Sequence, residues 1–138
     1  MIAFGDDLAG DWTVRSTSLL DDGSIRYEFV VHLRIEKRDT GLFLSMETAK
    51  SRSISQVVGI SQVPEGTLLV TSFVADPDHE ATASHDFFGM VRYVFAPGHQ
   101  DGRGVFLNYN GRFTHGTLTL TRGAPDQLDV PAGYAQVS

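Results

Sequence analysis

Hydrophobic and polar positions alternate along this chain with a period of two. Between Ile25 and Glu36, the side chains of Ile25, Tyr27, Phe29, Val31, Leu33 and Ile35 fall in one phase. Arg26, Glu28, His32, Arg34 and Glu36 fall in the other. That alternation predicts a single long, half-buried strand. No stretch shows a sustained helical period. Further strands are expected at Asp11–Leu19, Leu42–Ala49, Ser51–Gln62, Thr67–Ala75, Asp86–Ala96, Val105–Tyr109 and Gly116–Arg122. Turn chemistry separates them. Asp21-Asp22-Gly23, Asp39-Thr40-Gly41, Pro64-Glu65-Gly66 and Asn110-Gly111 all contain glycine, which accepts positive φ, and Pro64 pre-sets its own. Asp76–His85 reads as a polar loop and Pro97–Gly104 as a glycine-rich loop.

About eight short strands joined by hairpins must close into a sandwich or a barrel, and up-and-down order favours the barrel because closure removes free edges. The expected fold is therefore all-β: an eight-stranded antiparallel barrel, lipocalin-like or calycin-like, over residues 1–122. An interior of that size is either filled by side chains or holds one small ligand. Residues 123–138 contain two prolines and no clear period, so they read as a flexible C-terminal tail.

Composition narrows the function. The length of 138 residues is that of one domain, and 41% hydrophobic against 20% charged residues is too apolar a mix for a disordered chain. There is no cysteine, which excludes disulfides, thiolate metal sites and cysteine nucleophiles. Net charge is −6, and the basic cluster Arg34, Lys37 and Arg38 is interrupted by Glu36. Binding to long nucleic acid is thus disfavoured, whereas a small anion needs only a few arginines. Met1–Gly10 has neither the basic nor the apolar region of a signal peptide, and no apolar run could span a bilayer. The expected location of the chain as given is cytoplasmic.

Candidate chemistry comes from a few segments. Gly10-Asp11-Trp12 opens the first strand and Arg122 closes the last, a spacing that resembles the Trp–Arg packing at the closed end of lipocalins. Ser51, Ser53 and Ser55 share one face of a strand, with Thr48 just before them. The other face carries Lys50 and Arg52, so the serine side is the better candidate for the interior. Asn110, Arg112 and Thr114 surround the last hairpin after Tyr109; an amide can read a base edge and a guanidinium can pair with phosphate. Phe87, Phe88, Tyr93, Phe95 and Phe106 read mainly as core, although such rings can stack on a planar ligand.

Catalytic signals are weak. Hydrolase, P-loop and dinucleotide fingerprints are missing, and no catalytic residue, metal site or cofactor is called for. His79 and His85, near Asp76, Asp78, Glu80 and Asp86, read as a solvated polar loop. A barrel cyclase or isomerase would need His32 or Glu47 inside the barrel as acid or base. A carrier of a hydrophobic small molecule would need an apolar pocket.

Four segments, in order, resemble one family. They are LAGDW (Leu8–Trp12), METAKSRSIS (Met46–Ser55), HDFFGMVRYVF (His85–Phe95) and LNYNGRFTHGTLTLTR (Leu107–Arg122). Together they resemble the β-barrel effector of CBASS anti-phage systems, the SMODS-associated β-strand-rich domain that carries two transmembrane helices. The serines match its Thr-x-x-Ser-x-Ser-x-Ser strand, and the last segment its closing hairpin. Asn108 departs from it, standing where that family tends to have Gly or a second Tyr. The resemblance implies a sensor for a cyclic oligonucleotide second messenger, made by a partner cyclase. It implies oligomerisation on binding, and membrane disruption through N-terminal helices that this chain lacks. It also implies that Thr48, Ser51, Ser53, Ser55, Tyr109, Asn110, Arg112 and Thr114 line one nucleotide pocket.

Overall fold

The computed structural model describes residues 5–49, 51–77, 88–109 and 111–127. Its strands are β1 (Gly10–Leu19), β2 (Ile25–Arg38), β3 (Gly41–Glu47), β4 (Arg52–Val63), β5 (Gly66–Ala75), β6 (Phe88–Phe95), β7 (Asp101–Tyr109) and β8 (Phe113–Arg122). Each pairs antiparallel with the next, and β8 pairs with β1, so the sheet closes as a barrel. Closure requires staggered register. The long β2 provides part of it: Ile25–Ile35 pairs with β1, whereas His32–Arg38 pairs with β3.

Half of one expected loop is strand. Pro97–Gly104 was expected to be irregular, but β7 begins at Asp101. Gly102 and Gly104 are inward strand positions, not turn residues. A Cβ on Gly104 would lie 2.2 Å from the Arg92 carbonyl oxygen and 2.9 Å from Leu118 Cδ1. Neighbouring backbone and core leucines use the volume that a side chain would need. β8 likewise starts three residues earlier than expected, at Phe113 rather than Gly116.

The two halves of the barrel are filled differently. The half bounded by the β2–β3, β4–β5 and β6–β7 turns is packed solid. Leu8, Trp12, Leu33, Leu44, Leu69, Tyr93 and Phe95 are fully buried there, with Ile35 and Leu120 almost so. A single 3-10 turn, Asp6–Leu8, plugs this end. Trp12 donates its indole N–H to the Leu8 carbonyl at 2.9 Å and meets Phe95 edge-on, with ring centroids 4.8 Å apart. The Arg122 guanidinium lies 4.1 Å from the Trp12 ring. It also donates to the backbone carbonyls of Asp7 (2.8 Å), Ala9 (3.0 Å) and His99 (2.8 Å). The expected Trp–Arg packing is therefore present.

His99 ties the same end together. Its ring bridges Asp7 Oδ2 (2.6 Å) and Thr67 Oγ1 (2.8 Å), and its backbone takes a positive φ of 52°. The order hydroxyl–imidazole–carboxylate is that of a nucleophilic triad. Thr67, however, is buried beneath the plug, so the chain acts as a clasp.

Two outcomes test this account. Arg122→Ala should lower stability by about 2–4 kcal/mol, because several carbonyls lose a charged donor at once, and Arg122→Lys should recover little of it. Gly104→Ala should cost about 2–3 kcal/mol through overpacking. Urea unfolding midpoints measure both.

Candidate functional site

The opposite end is bordered by the turns β1–β2, β3–β4, β5–β6 and β7–β8. Here the inward positions change character. Ser53 stands across from Met46 and Ala75, and Ser55 across from Phe73. Phe73 and Met46 belong to the core side, so this row of β4 faces inward. Arg52 and Ile54 occupy the outward phase. Ser51, Ser53 and Ser55 are half-buried rather than sealed, unlike the inward residues of the plugged half.

These hydroxyls are not equivalent. Thr48 Oγ1 and Ser51 Oγ are 2.7 Å apart, and the Ser51 N–H donates to Thr48 Oγ1, so this pair shapes the β3–β4 turn. Ser55 Oγ accepts the Leu44 N–H at 2.9 Å, next to a bulge in β4 between Ser55 and Val57. It carries the β3–β4 contact one residue past the last paired positions, Ser45 and Ile54. Ser53 Oγ makes no hydrogen bond among the described residues and remains available.

Across the barrel the wall is made of small and polar residues. Thr114 pairs with Asn108, Asn108 with Gly89, and Gly116 with Ser18 and Phe106. Two buried polar side-chain atoms lack a partner among the described residues: Ser18 Oγ and Asn108 Oδ1. An unmet buried polar atom of this kind costs about 1–3 kcal/mol. Neither belongs to a motif along the chain, although the period of two reaches both. Ser18 follows Trp12, Val14 and Ser16 in the inward phase of β1, and Asn108 follows Phe106 in β7.

The remaining candidates lie elsewhere. Tyr109 is on the outer face, with its ring 5.5 Å from Phe88 and 5.0 Å from Phe113. It sits one step out of phase with Asn108, so it does not share the interior with the serine row. Arg112 is exposed at the β7–β8 turn, and Asn110 lies outside the described residues. Tyr93, Phe95 and Phe106 are core, and Phe88 points outward. Phe87, His79, His85, Asp78, Glu80 and Asp86 lie outside the described residues. A cavity of about 420 Å³ runs along the β8–β1–β2 wall beside Arg15–Thr17, Glu28–Val30 and Thr117–Thr119. None of the expected site residues lines it.

His32 and Glu47, the trial acid–base pair, face each other on the outer surface. His32 Nε2 contacts Asp11 Oδ1 at 2.8 Å, and Arg34 reaches the same oxygen at 3.2 Å. The His32 hydrogen bond, helped by Arg34, holds the Asp11 carboxyl below its ordinary range. Neither candidate can reach a ligand inside the barrel. Among the described residues, no cluster of three or more His, Asp or Glu could hold a metal.

Ser55→Ala should lower stability by about 1 kcal/mol by leaving the Leu44 N–H unmet, whereas Ser53→Ala should stay within about 0.5 kcal/mol of the parent. A depressed carboxyl pKa stabilises the fold above the unfolded value, and the effect is lost as pH falls through the folded one. Asp11→Asn should therefore cost about 0.5 kcal/mol at neutral pH, given its exposure, and progressively less in acid below the ordinary carboxyl range. Chemical denaturation at neutral and acidic pH reads the difference.

Comparison with known proteins bears on what this interior holds. Curated proteins offer no match to the chain. Residues 6–122 match the family model described as Cap15, cyclic dinucleotide receptor domain, and the chain belongs to that family.

Proposed function

We propose that this receptor domain takes its cyclic dinucleotide into the unplugged half of the barrel, as the sensor of a CBASS-type anti-phage effector. Membership of the receptor family makes the chain a receptor rather than a catalyst. The observation that carries the location is the inward, half-buried row Ser51, Ser53 and Ser55, facing a wall of glycine and small polar side chains. A cyclic dinucleotide brings two phosphates and two flat bases. Hydroxyls from Thr48, Ser51, Ser53 and Thr114 can donate to phosphate oxygens or meet base edges. Arg112 stands at the rim of the same end, where a guanidinium can neutralise a phosphate as it enters. Asn110, next in the sequence after Tyr109, stays a proposed contact, and Tyr109 itself packs against Phe88 and Phe113 on the outer face. On this reading residues 1–122 are the receptor unit and 123–138 an appendage.

The outer surface supports a second step. Phe88 and Met90 of β6, Val105 and Leu107 of β7, and Phe113 of β8 are each about half exposed or more. Met90 faces Leu107, and Phe88 faces Tyr109, which faces Phe113, so the side chains form one patch beside the open rim. Contiguous apolar surface of this kind marks a docking face. Ligand-driven self-association through it would convert binding into an effector response. Among the described residues no helix is long and apolar enough to cross a membrane.

A carrier of apolar cargo is the competing reading. The Trp12–Arg122 plug favours a lipocalin-like barrel. The hydroxyl-rich interior argues against apolar cargo.

Thermal unfolding against cyclic di- and trinucleotides tests the proposal. A ligand at about 100 times its Kd should stabilise the fold by about 2.7 kcal/mol, a shift of several degrees, while its linear analogue should not. A flat panel together with co-purified fatty acid would instead establish the carrier. Phe113→Asp should keep the thermal shift and abolish ligand-dependent association in sedimentation velocity. Loss of both would place Phe113 in folding or binding instead.

A further inference from the structure

We infer that Asn108 and Ser18 read a nucleobase of the bound ligand, with Asn108 Oδ1 accepting a base N–H, a donor that no phosphate supplies. The inference rests on the ligand occupying the barrel interior, as proposed above.

Both residues are inward, and both hold a buried polar atom that meets nothing among the described residues. Ser18 is 1% exposed. Neither is explained by folding. An apolar residue at either position would keep the strand pattern and remove an unmet polar group. The surroundings are arranged around them. A Cβ on Gly89 would lie 2.4 Å from Asn108 Oδ1 and 2.8 Å from the Phe73 ring. The carboxamide and that ring therefore share the space over Gly89. A Cβ on Gly116 would lie 2.7 Å from the Phe106 ring, and Gly116 is the direct cross-strand neighbour of Ser18. Two rings and two unmet polar atoms thus converge above two glycines.

The kind of atom decides the ligand group. Oδ1 is an acceptor and needs a donor. A phosphodiester at neutral pH has acceptors alone, so it cannot satisfy Oδ1. Base amines and imides carry N–H donors beside ring acceptors, and a carboxamide matches such an edge through both its ends. The Phe73 and Phe106 rings beside these atoms are suited to a flat partner. The hydroxyl of Ser18 can donate or accept, and so completes either type of base edge.

Two substitutions separate base from phosphate. Asn108→Leu removes acceptor and donor together, and Asn108→Asp keeps the acceptor but adds negative charge. Binding is measured by calorimetry on the whole chain, with cyclic dinucleotides of adenine, guanine, cytosine and uracil as probes. Unfolding without ligand confirms that each variant is folded. Asn108→Leu and Asn108→Asp should each weaken the best ligand at least tenfold, and the probes with other bases less. An equal loss for all four bases would mean a phosphate contact and overturn the inference. So would Asn108→Leu binding within twofold of the parent. Should Asn108→Asp fail to fold, N-methylation of the base in the ligand replaces it. Methylation should weaken binding to the parent and add nothing to the loss in Asn108→Leu; equal losses in both would overturn the inference. Ser18→Ala should raise the melting midpoint of the free protein while lowering affinity several-fold. A fall in that midpoint would make Ser18 structural and remove it from the site. A parent chain that binds none of the probes would overturn the receptor location and this inference together.

Discussion

The guanidinium of Arg122 is the contact on which the division of this barrel depends. It holds the last strand to the first, covers the ring of Trp12, and satisfies backbone carbonyls from both the 3-10 turn and the β6–β7 turn. An eight-stranded barrel has a limited interior, just wide enough to be filled or to hold one small molecule. Sealing one end with Trp12, Leu8 and Phe95 commits that half to stability. Whatever the protein binds inside must enter from the other end. The turns at that end are the ones that carry Thr48, Ser51 and Arg112.

The contrast between the halves is chemical as well as steric. Large apolar side chains interdigitate near the plug, where each buried leucine or aromatic adds about 1.5–3 kcal/mol. Beyond Phe73 and Phe106 the inward positions of β4 to β8 and β1 become mostly Ser, Thr, Asn, Ala and Gly, while β2 and β3 keep Tyr27, Phe29 and Met46 there. Those small residues contribute little hydrophobic stabilisation, and among the described residues Ser18 and Asn108 leave polar atoms unmet, which opposes folding. Proteins commonly depart from local consistency where they bind something. The plugged half can carry that cost, since its core is continuous around all the strands.

Much of the architecture was readable because period two is a steric property of a pleated strand. Seven of the strand assignments fail only at their ends, where a hairpin position belongs equally to strand and turn. β7 is the exception, and its error is instructive. Gly102 and Gly104 resemble loop residues in composition, but they serve close packing against Arg92, Val94 and Leu118. A single chain does not reveal whether a glycine is present for its dihedral freedom or for its missing side chain. The inward serine row was legible by the same parity, because its opposite face carries charge.

The interior polar residues were legible in principle and still missed, for a physical reason. Motif reading favours clusters along the chain, such as Thr48 to Ser55 or Tyr109 to Thr114. A barrel assembles its interior across strands, so Ser18, Gly116, Phe106 and Asn108 become neighbours only through register. Tyr109 shows the converse. It is adjacent to Asn108 in sequence, and the pleat sends it to the opposite face, where it joins Phe88 and Phe113. One alternation therefore divides the end of β7 between two faces: Asn108 turned into the barrel and Tyr109 toward the outer apolar patch.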